Sequence, residues 1–373
     1  MAKVFIEETT LTAIGDAIRG KTGKTELIDP ANMHSEIASI EAGSGGGGVE
    51  LPEEAFLLTG NCSSICSGDQ WFWFFDLYNN KIQTQDITNM NNMFSQDALT
   101  SSTWQGFPGF SFTFNVKNIE MMSSAFKQLP ITACPKIRGT INWSDNTNLS
   151  SLITNTKIQS ADDLFTLDMV EGFSEFKVTS KYNTPQVNGM FSNMTALTHI
   201  PEWWYKFKTN PESTVMPNYN YTIYYNAFQY CSSLLEVRNI PVLVLNSGAG
   251  QTSNMFSSTF NNTNKLAHVT FETNDDGSPI TAQWKAQTID LTQAGHTHLS
   301  SQTVPNSLYN HDSAVETINS LPDTSGYLIS EGGTNTIKFK KAAGSATDGG
   351  AIQNLTEEEI AVATAKGWTV AFT

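Results

Sequence analysis

The chain has 373 residues, with 36 Asp+Glu against 21 Lys+Arg and a formal net charge of -15. Charged residues make up 15% and apolar residues 39%, both below the usual share of a soluble domain, and 43 Thr with 32 Asn fill the gap. This balance argues against nucleic-acid binding, which needs a basic surface, against bulk disorder, because aromatics reach 11%, and against a membrane span, because no apolar run approaches about 18 residues. Length alone allows about two to three domains. A Thr/Asn-rich, aromatic-rich, charge-poor chain suits β-rich extracellular or virion structure better than a cytosolic enzyme.

The first ten residues, Met-Ala-Lys-Val-Phe-Ile-Glu-Glu-Thr-Thr, contain no apolar h-region and no small-residue cleavage site. They predict a chain made in a cytoplasm that leaves it only by another route, such as lysis. A helix is expected over 10–20, capped by Thr10, with Leu11, Ile14 and Ile18 on one face. Gly20 and Gly23 end it. A second helix starts at Asp29 with Pro30 in the first helical position, and Met33, Ile37 and Ile40 form its apolar face. A hairpin of about 40 residues buries too little surface to stand alone. Residues 1–42 therefore read as an anchoring module that docks on a partner or self-associates, the plainer alternative being a frayed helical tail. Residues 43–49, centred on Gly45–Gly48, read as a flexible linker.

The run LTAIGDAIRGKTGKTELIDPANMHSEIASIEAG resembles an N-terminal segment found in tail-associated proteins of phages and prophages of Gram-positive bacteria. The match is carried by Leu11, Thr12, Ile14, Asp16, Ala17, Ile18, Arg19, Lys21, Thr22, Gly23, Lys24, Ile28, Pro30, Met33, Glu36, Ile37 and Ile40. Gly15 departs from the Ala usual there, which weakens the first helix slightly. The resemblance implies attachment to other tail or baseplate proteins through Leu11, Ile14, Ile18, Met33, Ile37 and Ile40.

Residues 50–84 match no known pattern and read as an entry segment that caps the region after residue 84. Trp71-Phe-Trp-Phe-Phe75 predicts a strand buried on both faces, under the first repeat or in an oligomer contact. Of the four cysteines, Cys62 and Cys66 form a C-x3-C pair without the second pair that a structural zinc site needs. Cys231 reads as a small buried hydrophobe, and Cys134 completes a set too sparse for a disulfide framework.

From about residue 85 a unit recurs. Val187-Asn-Gly-Met-Phe-Ser-Asn-Met-Thr-Ala-Leu-Thr-His-Ile-Pro201 parallels Tyr224-Tyr-Asn-Ala-Phe-Gln-Tyr-Cys-Ser-Ser-Leu-Leu-Glu-Val-Arg-Asn-Ile-Pro241. Weaker copies lead with Phe94, Phe126, Phe165 and Phe256. The mean spacing of about 32 residues lies in the range of repeat architectures. Each unit reads as a short helical turn bearing Met/Phe, then a Leu, then a strand ending in Ile/Val-Pro. One unit cannot bury its apolar edge, so the units are expected to stack into a quasi-one-dimensional core. Near the C-terminus, Val315, Ile318 and Leu321 give a helical stripe and Thr336–Phe339 a strand. Leu355, Ile360, Ala363 and Ala365 precede a final strand, Trp368–Phe372.

The x-x-M-F-x-x-C/M-x-x-L-x-x-I/V-P pattern, clearest at Met190–Pro201 and Ala227–Pro241, resembles the BspA-like leucine-rich repeat family. YNHDSAVETINSLPDTSG and LTEEEIAVATAKGWTVAF resemble closing repeats of phage proteins that carry such arrays. The fold class this implies is an α/β repeat: an irregular leucine-rich-repeat solenoid over 85–373 with a C-terminal cap and a short N-terminal helical hairpin. It is a scaffold motif and does not by itself assign a function.

No G-x-S-x-G, G-x-x-x-x-G-K-[ST] or H-E-x-x-H segment occurs. His296-Thr-His298 places two rings on one face of a strand. It reads as a surface pair, with an axial metal site of a trimeric fibre as the alternative. The acidic pairs Asp162-Asp163 and Asp275-Asp276 and the run Glu357–Glu359 read as turn and helix-start residues, not as a glycosidase pair. The aromatic groups Trp203-Trp204-Tyr205, Asn218-Tyr-Asn-Tyr221 and Tyr224-Tyr225 are the binding candidates. Adjacent aromatics on one strand cannot all face inward, so Trp203, Trp204, Tyr219 and Tyr221 are expected to offer rings to a sugar, or else to pack the insertion or a subunit interface. Together these expectations describe a virion tail (fibre or baseplate) protein. It binds a host-surface glycan or protein through its repeats, as a homo-oligomer of three or more copies, without enzyme chemistry, cofactor, metal, nucleic acid or membrane insertion. The alternatives are a purely structural tail protein and a bacterial surface adhesin.

Overall fold

The computed structural model describes residues 15–16, 18–19, 56–64, 82–94, 112–129, 131–180, 184–208, 210, 212–215, 218–244, 254–295, 308–327, 333–340 and 355–373. Nine strands run in chain order among them: β1 (Phe56–Asn61), β2 (Ile82–Asn89), β3 (Thr113–Met121), β4 (Lys136–Ile141), β5 (Glu236–Ile240), β6 (His268–Phe271), β7 (Thr288–Asp290), β8 (Asn335–Phe339) and β9 (Trp368–Phe372). They form three sheets of order β1-β2-β3-β4, β5-β6 and β7-β8-β9, and each of these strand pairs is parallel. Three α-helices are described in full: α1 (Leu167–Glu171), α2 (His311–Ser320) and α3 (Glu357–Ala365).

A recurring turn organises the interior. With its leading apolar residue as position zero, the turns are centred on Phe94, Phe126, Ile153, Phe191, Phe228 and Phe260. Two residues before each centre the backbone is left-handed, at Asn92, Ser124, Ser151, Gly189, Asn226 and Ser258. Two residues after, it is left-handed again at Gln128, Asn155, Asn193, Tyr230 and Asn262. Apart from Gln128, Tyr230 and Ala286, every left-handed non-glycine residue described is Ser, Asn or Asp. Asn and Asp tolerate that region best among non-glycine residues because a short polar side chain bonds locally. The Asn excess thus has a local cause.

Each turn hydrogen-bonds to the next. Phe94 N donates to Ala125 O, Phe126 N to Leu152 O, Asn155 N to Ser192 O, Asn193 N to Gln229 O and Phe228 N to Thr259 O, at 2.7–3.1 Å. Apolar columns follow from this register. The central rings stack, Phe94 on Phe126 at 5.6 Å and Phe191 on Phe228 at 6.2 Å, and Phe260 meets Phe228 at 6.0 Å. Four residues earlier lies a second column, in which Tyr224 stacks on Phe256 at 4.4 Å. Leu129, Met194 and Cys231 fill a third position, and Leu197, Leu234 and Leu266 a fourth, all fully buried. Cys231 behaves as the expected hydrophobe: its thiol donates to Phe191 O at 2.9 Å, and burial pushes its pKa up to about 12.

Two of the six aromatics expected to lead the units do not. Phe256 sits four positions early, under Tyr224, and Phe260 takes the centre. Phe165 instead packs edge-on against Trp203 at 5.0 Å, and Ile153 takes the centre of that turn. Register is set by the pair of left-handed residues and the N–H···O=C column, and a Met-Phe pair elsewhere in a unit only imitates it.

The strand expected at Thr336–Phe339 is β8, and Trp368–Phe372 is β9. Ile318 and Leu321 of the expected stripe are buried, and Val315 packs against the core. Helices α2 and α3 each begin with a capping box: Asn310 with Ser313 for α2, and Thr356 with Glu359 for α3. The acids of Glu357–Glu359 lie in the first turn of α3, where they complement the helix dipole. Lys366 closes α2, its ammonium donating to Ile318 O at 3.0 Å and Asn319 O at 2.7 Å.

Candidate functional site

The four-stranded sheet carries a polar groove, and its cause is local. Thr84 Oγ1 donates to Thr113 O at 3.0 Å and accepts from Asn115 N at 2.7 Å. A hydroxyl therefore stands where a β2 carbonyl would pair with β3. The Asn115 amide reinforces the insertion, Nδ2 donating to Thr84 O at 3.0 Å and Oγ1 at 3.2 Å. Further along, Asp86 and Asn118 are left-handed, and Thr140 Oγ1 accepts from Asn118 N at 2.8 Å. The same device recurs where Thr270 Oγ1 accepts from Asn239 N at 2.9 Å. Register slips result between Ile87 and Asn89 and between Val116 and Ile119. Such bulges bend a strand and re-aim its side chains.

On the other side of the groove, Gly139 lets β4 approach β3. At φ +126° it has no L-residue equivalent, and a Cβ there lies 1.8 Å from Val116 O. The resulting open concavity is lined by Leu57, Gln83, Gln85, Asp86, Asn115 and Arg138 among others. Beneath it Phe114, Val116 and Ile137 face the core. Lys117 faces Asp86 at 3.8 Å. Arg138 is held differently. Its Nη1 donates to Ile137 O at 2.7 Å, Asp163 O at 2.9 Å and, more weakly, Leu164 O at 3.4 Å. None of these groove residues stands out in the sequence. The usable signal is the alternation of polar Gln83, Gln85, Thr113 and Asn115 with buried Thr84, Phe114 and Val116, a weak one on strands from different units.

The aromatic candidates divide. Residues Glu202–Lys206 form a 3-10 turn, not a strand, and both Trp203 and Trp204 are 1% exposed. In a helical turn adjacent side chains are not sent to opposite faces, so strand alternation no longer forces one of the two outward. Trp203 Nε1 donates to Ala161 O at 2.9 Å, and Trp204 packs on Phe228 at 5.2 Å. Neither ring is open to a sugar, and both belong to the core, as does Tyr224 at 1% exposed. Tyr221 is half-buried at the edge of a narrow apolar crevice with Phe173, Phe176, Val178 and Leu243. Tyr219 lies in the 3-10 turn Tyr219–Tyr221, and its side chain is outside the described residues. An open trench gathers Asp162, Asp168, Glu171 and Glu202 above Phe165 and Trp203. Its charges are partly met, Asp162 by His199 at 2.7 Å and Glu171 by Lys206 at 3.8 Å.

Of the anchoring residues, Ile18 is buried beside an Asp16–Arg19 ion pair. Leu11, Ile14, Met33, Ile37 and Ile40 lie outside the described residues, as do Trp71–Phe75, Cys66, His296 and His298. Among the described residues, no group of three or more His, Cys, Asp or Glu is placed to hold a metal ion. No described helix is long and apolar enough to cross a membrane.

The C-terminal helices share a titrating pair. His311 Nε2 meets Glu359 Oε2 at 3.2 Å, and Nδ1 meets Asp312 at 3.2 Å. Burial lowers the His311 pKa, but hydrogen bonds and charge from Asp312 and Glu359 outweigh it and hold it above the ordinary 6.5. The Thr356 N–H is the first cause that holds Glu359 below its ordinary 4.5; burial opposes it, and His311 adds to it. The histidine contribution to stability is complete below pH 6.5 and lost as pH rises through the raised value. The glutamate contribution is complete above pH 4.5 and lost as pH falls through the depressed value. Amide exchange of α3, corrected for intrinsic rate, is expected to be slowest between those limits and faster at pH 8. His311→Gln is expected to flatten the upper limb; an unchanged profile removes the pair as its cause.

Compared with known proteins, the chain matches no family model, no curated protein and no solved structure.

Proposed function

We propose that the chain is a virion tail protein of the fibre or baseplate type that meets the host cell surface through an irregular, BspA-like leucine-rich-repeat solenoid. Its mechanism is binding, without covalent chemistry. The carrying observation is the division of side chains in the β1–β4 ladder. Apolar residues fill the interior columns, and the outer positions present the amides of Gln83, Gln85 and Asn115, together with Asp86 and Arg138, around a concave groove. Such a surface offers hydrogen bonds to sugar hydroxyls or to a polar protein face. The N-terminal segment supports tail attachment through its resemblance, and several copies held together raise avidity without new contacts.

The test is attachment of the purified full chain to cells of candidate Gram-positive hosts. Saturable binding to susceptible strains is the expected result. Absence of binding to every susceptible strain favours the second reading, a tail protein that touches only other virion subunits. One observation supports that second reading: Trp203 and Trp204, half of the aromatic set expected to meet a receptor, are core residues.

A further inference from the structure

We infer that the groove over β2–β4 takes a glycan bearing an anionic substituent, a carboxylate or a phosphate, and that Arg138 is its contact. The inference rests on the surface-binding reading and adds the chemistry of the ligand.

Acids outnumber bases 36 to 21, so a guanidinium has many carboxylates available to pair with. The chain has three arginines. Arg19 pairs with Asp16, and Arg238 pairs with both Glu236 and Glu316. Arg138 makes no ion pair with a described residue. It is anchored by Nη1 on backbone carbonyls of its own strand and of the following turn, a triple contact that fixes the plane of the guanidinium. Nε and Nη2 make no hydrogen bond to a described residue. Two donor nitrogens, with three N–H bonds between them, are thus left in a fixed fork, the arrangement that carboxylate and phosphate oxygens accept in pairs. An anion supplies the interaction that this half-buried cation lacks, and no conformational search is needed to meet it.

The surroundings specify what carries the anion. Asp86 in the lining faces Lys117 at 3.8 Å, and Arg138 is the cation among the described lining residues. Asn115 pairs with Arg138 across the β3–β4 ladder. Its Nδ2 is committed to Thr84, which leaves Oδ1 to accept. Gln83 and Gln85 on β2 are exposed and keep both amide functions. An acceptor and two free amides beside one cationic fork match a hydroxyl-rich molecule with one acidic group. Leu57, 41% exposed at the groove edge, offers an apolar contact for a sugar's C–H face. A polyanion such as nucleic acid is disfavoured by the net charge of -15.

The test titrates the full chain with three probes: an oligogalacturonate for the carboxylate, a poly(glycerol phosphate) for the phosphate, and a dextran oligosaccharide as neutral control. One anionic probe is expected to bind and dextran not to. Arg138→Gln is expected to weaken binding about tenfold or more, and Gln85→Ala, which removes no structural contact, to weaken it by less. Which anionic probe binds identifies the substituent. Failure of both at millimolar concentration, equal binding of dextran, or full binding by Arg138→Gln overturns the inference. The same variants on cells separate it from the reading beneath it. Undiminished attachment by Arg138→Gln sinks the anion contact alone, whereas a wild-type chain that attaches to no susceptible strain sinks the surface-binding reading.

Discussion

Phe228→Ala is expected to cost about 3–5 kcal/mol, the range for a buried aromatic truncated to a methyl. Phe228 is 1% exposed and occupies the centre of the aromatic column. It stacks on Phe191, meets Phe260 on the next turn and receives Trp204 edge-on at 5.2 Å. The neighbouring turns cannot close over the void, because each is tied by its own N–H···O=C bonds, Phe228 N to Thr259 O and Asn193 N to Gln229 O. Most of the cavity term should therefore persist. The loss is also expected to be directional. The ring column runs from Phe191 through Phe228 to Phe260, so amide protection should fall first over residues 187–260 and later in α2 and α3. Leu235→Ala, at a residue 50% exposed, is the matched control and is expected to stay within about 0.5 kcal/mol. Chemical denaturation with hydrogen exchange measures both, and equal effects for the two variants would remove the column as the source of stability.

Gly139→Ala is expected to cost about 2–4 kcal/mol, combining left-handed strain with a contact that has no room. The added Cβ would lie 1.8 Å from Val116 O and 2.9 Å from Val116 C, both backbone atoms on the adjacent strand. Either β3 and β4 part or the φ of +126° is abandoned, and each route deforms the groove. Gly277→Ala is the informative comparison. That glycine is also left-handed, at φ +79°, but nothing lies within 4 Å of its Cβ position, so it should cost only about 1 kcal/mol. The difference between the two variants measures the close approach of the strands. If the two cost the same, the approach of β4 to β3 is not what requires glycine.

The C-terminal elements are the most legible in the sequence. Asn310 and Thr356 announce helix starts through side chains that cap, and β9 begins directly after Gly367. The existence of the repeat is legible from Met190–Pro201 and Ala227–Pro241, but its register is not. Ser151 and Ser258 look like ordinary turn residues, yet their left-handed backbone places Ile153 and Phe260 at the centres. The burial of Trp203 and Trp204 is illegible for a different reason. A short aromatic run after Pro201 satisfies a strand and a 3-10 turn equally well, and the choice is made by Phe165, Phe191 and Phe228, which enclose both indoles. The groove is hidden because Gln83, Asn115 and Arg138 meet only when three strands far apart in the chain are aligned. The composition does foreshadow the means: Thr hydroxyls complete the bulged ladders and Asn residues supply the left-handed turns.

A repeat array that faces the host must be open on the particle that carries it, and electron cryo-microscopy of the intact particle shows whether it is. The expected density places the β1–β4 ladder on the outer surface, with Gln83, Gln85 and Arg138 open to solvent. Density from other virion subunits covering that ladder would contradict the host-facing assignment.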